Sequence, residues 1–348
     1  MKVFLISPWD ETDPETVRGA PDQAYLVRGM LEKAWEVKRI APVEFRIPQL
    51  LRLAFFPIEI ALNTIVIPLK VIRWGKPHLV LCLDGKLALG ALLVSGLTRA
   101  KLAKFQHGIK DYLTRGNRLL GFLVNPDVPL NYWTPGLLFA VEDGSGAWVV
   151  GPKRVNPVRL PQARPSEAPD IRKDKRFAFC GRLHRIKGAE RFLRVARMIR
   201  ESIPSAKCLV IGEGPLSEDF KKEPWIEILG DLPHREAVRW IATARVLCAV
   251  APYGNFTLPV LEAMSAGTVP VAFDVGWTRD MIGPGGVLVP LFDEKAMAEE
   301  VIRLLEDDDV FWEKSRLARE RARDFPTWEE RTDEILKRLE ALCSKGSF

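Results

Sequence analysis

The sequence predicts an α/β protein of two domains, each with a parallel sheet covered by helices, and three observations predict it. The chain has 348 residues, too many for one ordinary core and suited to two domains of about 150 to 200 residues. Its second half alternates short, continuous apolar runs with amphipathic stretches, the pattern of parallel strands buried on both faces. Between the halves, "PQARPSEAPD" (161–170) spaces Pro161, Pro165 and Pro169 through polar residues, a linker composition. Rossmann-like domains are therefore expected over 1–163 and 164–325, with a final helical segment over 326–348.

Apolar residues make up 47% of the chain and charged residues 28%, which excludes fibrous and disordered classes. Cys82, Cys180, Cys208, Cys248 and Cys343 lie far apart, without the paired spacing of a disulfide framework or a zinc site. That usage suits a reducing cytoplasm. The net charge of +6 is uneven: residues 1–160 hold 21 Lys and Arg against 14 Asp and Glu, and the remainder 30 against 31. The first half offers either a solvated basic face or a surface for an anionic partner such as a lipid headgroup layer. A nucleic acid is not the expected partner.

The first element, "KVFLIS", reads as a strand and not as a signal peptide. The loop after it, "DETDPETVRGAPDQAYLV", carries Gly19 near a helix start and is expected to close as a mobile lid over a bound substrate. Residues 50–74, "LLRLAFFPIEIALNTIVIPLKVIRW", are apolar but interrupted by Arg52, Glu59, Asn63 and Lys70, with Pro57 and Pro68 inside. They fall short of a spanning helix. A buried helix pair is expected there, with a membrane-surface element as the alternative. The strands "HLVLCL", "KLAKFQ" and "GLLFAV" follow. In "FQHGIKDY", His107 and Gly108 come just after a strand, the position of a cleft residue, although a lone histidine is as readily structural.

In the second half, "RFAFCG", "KCLVIGEG", "WIEILG", "VLCAVAP", "VPVAF" and "GVLVP" read as strands. Three loops follow strands and precede helices, where open α/β sheets bind ligands. In "CGRLHRIKGAERF", Gly181 ends a strand, and Arg182 and Lys187 stand beside a helix start near Gly188; two cations with free amides make a phosphate site. In "VIGEGPLSEDF", Gly212 and Gly214 let another group approach the backbone, but Ser217 occupies the third glycine position of a dinucleotide fingerprint. In "GNFTLPVLEAMSAG" (254–267), Thr257 is the expected N-cap of a helix of about three turns, with Pro259 in the first turn and Gly267 as its stop. Side chains lean toward a helix N-terminus, so Glu262 would join those free amides. A carboxylate there suits a vicinal diol, and amides suit a phosphate, together the two contacts of a ribose diphosphate. "EDDDV" (306–310) reads as a solvated end of a charged helix and not as a metal site; no metal is expected. From 311 to 345 the chain reads as charged helices interrupted at Pro326.

"GRLHRIKG", "VIGEGP", "ILGDL" and "LPVLEAMSAGTVPVAFDVG", in this order and spacing, resemble the retaining GT-B glycosyltransferases of the family 4 type, specifically over 177–305. Over 1–160 the resemblance rests on "KPHLVLCLDG", "FQHG" and the general rhythm. It implies two domains facing a cleft, and a metal-independent, retaining hexosyltransferase using a UDP- or GDP-linked sugar. The acceptor would be a saccharide or a lipid-linked molecule at the cytoplasmic face. Arg182 and Lys187 would neutralise the leaving diphosphate, Glu262 would hold the ribose, and amides around Phe256 to Leu258 would meet phosphate or sugar. His107 would lie near the transferred sugar, with Gly19 and Gly108 on the acceptor side. The family usually carries a further glutamate eight positions before Glu262, where this chain has Gly254; Asn255 would take over a sugar hydroxyl. After "DVG" this chain has Trp277 and Asp280 in place of the usual glycine and glutamate. A non-catalytic nucleotide-sugar-binding protein is the alternative that Gly254 motivates, and a sugar-nucleotide epimerase is a third.

Overall fold

The computed structural model describes residues 1–9, 13–14, 16–18, 21–43, 52–71, 74–106, 131–142, 157–252, 258–276 and 278–344. The chain forms two compact units. One comprises Met1–Asp13, Asp22–Pro161 and Glu329–Phe348; the other comprises Pro14–Pro21 and Gln162–Trp328.

The first unit contains β1 (Lys2–Ile6), α1 (Asp22–Glu32), β2 (Glu36–Ile40), α2 (Arg52–Val71), β3 (Leu79–Cys82), α3 (Ala88–Thr98), β4 (Lys101–Gln106), β5 (Leu137–Val141) and β6 (Val158–Leu160). Its sheet runs β2-β1-β3-β4-β5-β6, with every pair parallel. Alternate side chains leave a strand on opposite faces. Val3 and Leu5 thus join Leu26 and Met30 in one core, while Phe4 and Ile6 join Ile67 and Val94 in another. The edge strands β2 and β6 do not appear among the expected runs.

Residues 52–71 form the single helix α2, with Pro57 and Pro68 inside it, where a pair of helices was expected. Nor is it wholly buried. Asn63 faces inward because its amide nitrogen donates to the carbonyls of Val43 (2.8 Å) and Glu59 (2.9 Å), and its oxygen accepts from the Val43 N–H (2.7 Å). Ile58, Ile65 and Leu69 lie exposed. Among the described residues, no helix is long and apolar enough to cross a membrane.

The second unit contains β7 (Asp174–Cys180), α4 (Ala189–Ser202), β8 (Lys207–Ile211), α5 (Ser217–Lys221), β9 (Ile226–Ile228), α6 (His234–Thr243) and β10 (Ala244–Ala249). It continues through α7 (Leu258–Ser265), β11 (Val269–Phe273), α8 (Thr278–Ile282), β12 (Val287–Val289), α9 (Glu294–Glu306) and α10 (Asp308–Ala322). The last helix, α11 (Trp328–Ser344), places Ile335, Leu336 and Leu339 in the core of the first unit. The second sheet runs β12-β11-β10-β7-β8-β9, again all parallel. Its six strands coincide with the six expected runs. The chain builds β8 and β9 on one side of β7, then returns to place β10 on the other. β7 and β10 therefore flank the switch point where such sheets open a crevice.

"EDDDV" is more than a solvated helix end. Asp307 caps α10 by accepting from the Val310 N–H (3.0 Å), and Asp308 pairs with the buried Arg245 at 2.6 Å. No group of three or more His, Cys, Asp or Glu able to hold a metal occurs among the described residues.

Lys173, just before β7, is only 8% exposed and donates to the Ala242 carbonyl and the Thr268 hydroxyl, both at 2.7 Å. Burial pushes its ammonium down to about 7, with the Arg319 charge adding to the effect and Asp170 opposing it. An unfolded lysine titrates near 10.4. Between these values the unfolded chain binds more protons, so stability rises with pH above about 7 and is lost as pH falls toward it. Between about pH 7 and about pH 8.5 the unfolding free energy from urea titration is expected to rise by roughly 1–2 kcal/mol more for the wild type than for Lys173→Met.

Candidate functional site

A cleft of about 770 Å³ opens at the carboxyl edge of the second sheet. Cys180, Gly181 and Arg182 reach it from the end of β7, and Ile211 to Gly214 from the end of β8. Leu258, Pro259 and Glu262 reach it from α7, and His234 from the start of α6. This is the crevice that the strand order requires.

The β7 loop is held tightly. The Gly181 N–H donates to the Ile211 carbonyl (2.9 Å), and the Leu183 N–H to the Glu213 carbonyl (2.9 Å). Lys187 ends a 3-10 turn, Arg185–Lys187, capped by His184 Nδ1 accepting from the Ile186 N–H at 3.1 Å. The left-handed Gly188 (φ 72°) then starts α4. Gly212 and Gly214 do permit a close approach, but the approaching group is the β7 loop itself. A Cβ on Gly212 would stand 2.2 Å from the Gly181 carbonyl oxygen, and one on Gly214 would stand 2.4 Å from that of Leu183. The glycines let two loops stack backbone to backbone, which brings Arg182 and Lys187 to the cleft wall.

α7 has eight residues, about two turns instead of three. Gly267 stops it in a left-handed conformation (φ 73°), with the Thr268 N–H donating to the Ala263 carbonyl at 2.8 Å. Glu262 is 3% exposed, and its Oε1 lies 2.6 Å from His234 Nε2. A buried carboxylate needs a donor, and a proton on Nε2 supplies it. His234 is fixed in turn by its backbone, whose N–H donates to the Val17 carbonyl at 2.7 Å. Pro14–Pro21, from early in the sequence, thus packs within the second unit and places Arg18 in the cleft, 3.6 Å from Asp231. The Cys180 thiol is pushed well up, chiefly by burial and then by the carboxylates of Glu262 and Asp231, so it is no nucleophile.

Of the expected site residues, the cleft brings together Gly181, Arg182, Lys187, Gly212, Gly214, Leu258 and Glu262. Gly19, His107, Gly108, Asn255, Phe256 and Thr257 lie outside the described residues, as do Gly254 and Trp277. Sequence reasoning missed His234, Arg18 and Asp231. His234 and Asp231 had a local signal, since "GDLPHRE" puts them between a strand and a helix start. Arg18 had none, because its partners are more than two hundred positions away.

Residues 174–307 match the family model of glycosyl transferases group 1. This group 1 segment covers β7 to α9 and hence nearly all of the cleft. The O-antigen chain mannosyltransferase B of Escherichia coli is 30% identical over 129 residues, which are 36% of this chain and 33% of that protein. The phosphatidyl-myo-inositol mannosyltransferase of Mycolicibacterium smegmatis is 30% identical over 152 residues, 41% of this chain and 39% of that protein. The chain thus matches between a third and two fifths of the length of these relatives. Among solved structures, sucrose-phosphate synthase from Thermosynechococcus elongatus superposes with a TM-score of 0.73 at 16% identity, covering 99% of this chain and 100% of that one. Anabaena HepE in complex with UDP-glucose gives 0.69 at 14% identity, covering 98% and 100%. These likenesses establish the fold: two Rossmann-like parallel-sheet units of the GT-B kind.

His234→Ala would leave the Glu262 carboxylate buried without its ring partner. A loss of roughly 1–3 kcal/mol is expected in denaturant unfolding. Adding Glu262→Ala should recover part of it, because the double variant no longer buries the unpaired charge.

Proposed function

We propose that the chain is a glycosyltransferase that binds a UDP- or GDP-linked sugar in this cleft and transfers the sugar with retention and without a metal ion. The observation that carries the reading is one cleft in which two cations from a single loop, Arg182 and Lys187, share the wall with a buried, histidine-held carboxylate, Glu262. A sugar nucleotide asks for that combination. Arg182 and Lys187 stabilise the charge developing on the departing diphosphate, and Glu262 accepts hydrogen bonds from the ribose hydroxyls. By the resemblance, amides near Leu258 and the side chain of Asn255 would serve the phosphate and sugar, His107 would act at the transferred sugar, and Gly19 and Gly108 would belong to the acceptor side. Catalysis is then mainly positioning and charge stabilisation. The group 1 match and the UDP-sugar complex of HepE support a nucleotide-sugar donor.

The second reading is a binding protein without turnover, favoured by Gly254 standing where the resembled family has glutamate. A thermal-shift panel of UDP, GDP, ADP and NAD tests the donor site. A ligand at 100 times its dissociation constant stabilises by about 2.7 kcal/mol, a shift of several degrees. One nucleoside diphosphate is expected to raise Tm in the wild type and less in Glu262→Ala. A shift with NAD alone, or equal shifts in both proteins, would overturn the donor reading. Detectable sugar transfer then separates enzyme from binding protein, and interconversion of the donor sugar without an acceptor would indicate an epimerase.

We further propose that the acceptor is a saccharide or a lipid-linked molecule met at the inner face of the membrane, with the protein cytoplasmic. Ile58, Ile65 and Leu69 are spaced seven and four residues apart along α2 and so share one face, where Ile65 is 61% exposed. The neighbouring α3 exposes Leu93 and Leu97, and the same half of the chain holds the basic excess. An apolar stripe in the half of the chain with the basic excess suits an anionic bilayer surface. Cosedimentation with phosphatidylglycerol vesicles at low salt is expected, and to fall several-fold in Ile65→Glu/Leu69→Glu. No sedimentation of the wild type would remove the membrane role.

A further inference from the structure

Arg18 is separated from the rest of the cleft by more than 160 residues of sequence, yet it shares the wall with Arg182 and Lys187. Its place is not accidental to a passing loop. Val17, next to it, is a buried anchor, and the Val17 carbonyl accepts the first backbone N–H of α6 from His234. Pro14 and Pro21 bound the segment and stiffen its entry and exit. The backbone is thus fixed one residue from the guanidinium, while the side chain itself stays 57% exposed to the cleft.

Three carboxylates, Glu213, Asp231 and Glu262, face the same space. Glu262 is engaged by His234, and Asp231 by Arg18 at 3.6 Å. The Arg18–Asp231 pair is exposed at both ends, and such pairs hold little energy. A phosphate offers the same planar fork a denser charge and more acceptor oxygens. Asp231 is therefore a resting partner that an entering anion displaces.

We propose that Arg18 is a phosphate-binding residue of this cleft, a third cation supplied by a segment remote in sequence, which contacts the diphosphate of the bound nucleotide. The proposal rests on the donor reading above. It also gives the segment a further effect, since Val17, next to Arg18, holds the helix start that positions His234 and, through it, Glu262.

Isothermal titration of UDP, GDP, uridine and guanosine into wild type, Arg18→Ala, Asp231→Asn and Arg182→Ala tests it. For whichever diphosphate binds, Arg18→Ala should weaken affinity roughly tenfold or more, while the matching nucleoside binds as it does to the wild type. Asp231→Asn should tighten the diphosphate, because Arg18 is released. If Arg18→Ala binds the diphosphate like the wild type while Arg182→Ala loses it, the proposal fails and the donor reading stands. Equal losses for diphosphate and nucleoside would assign Arg18 to holding the segment in place and would likewise overturn it. If the wild type binds neither diphosphate, both readings fall together.

Discussion

Parallel strands can lie side by side only when the chain returns to the starting edge after each one, and in this protein helices make most of those returns. Every strand of the second sheet consequently ends on the same edge, and helices cover both faces. The cleft opens at that edge, at the point where β7 and β10 send their following segments in opposite directions. Arg182 and Lys187, from one loop, meet Glu262, about 75 positions further along the chain, for this reason. The position of the cleft is a property of the winding; its content is a property of a few loop residues.

Those residues are arranged by contacts that leave little freedom. The β7 and β8 loops stack backbone on backbone, which only residues without a Cβ permit at Gly212 and Gly214. The carboxylate of Glu262 is nearly out of water and relies on one imidazole, and that imidazole begins a helix whose first amide is bound by Val17. Order at the acid thus runs through His234 to a segment near the start of the chain. A set of contacts this short couples the buried acid of the cleft to a segment that no local reading of the motif would include.

Much of this was legible before any coordinates. The apolar runs of the second half are all strands. Four of them are central (β7, β8, β10 and β11) and buried on both faces, hence almost wholly apolar, while the edge strands β9 and β12 are short and still apolar at most positions. β2 and β6 escaped notice for the opposite reason. "EVKRI" and "VRL" sit at sheet edges, half exposed and charged, and their pairing is decided by neighbours instead of by composition. Residues 50–74, with Pro57 and Pro68 inside, read as a helix pair, yet residues 52–71 continue helical through both prolines. Within the site, Gly181, Arg182, Lys187 and Glu262 announced themselves by spacing. His234 drew no reading despite its place at a helix start, and Arg18 became meaningful only once the fold had brought it to the second unit.

The first unit takes residues from both sides of the second along the chain. Ile335, Leu336 and Leu339 share a core with Val3, Leu5 and Leu26, and the entire second unit apart from Pro14–Pro21 is threaded between them. During synthesis the residues of β1 and α1 must wait, with that apolar surface uncovered, until α11 has left the ribosome. The second unit, by contrast, has nearly all its residues available earlier. Of these two units, the one whose residues begin to emerge first is thus completed after the other, against the usual order of domain folding. Severing the proline-rich linker would yield no self-sufficient amino-terminal domain, only a sheet lacking one of its covering helices.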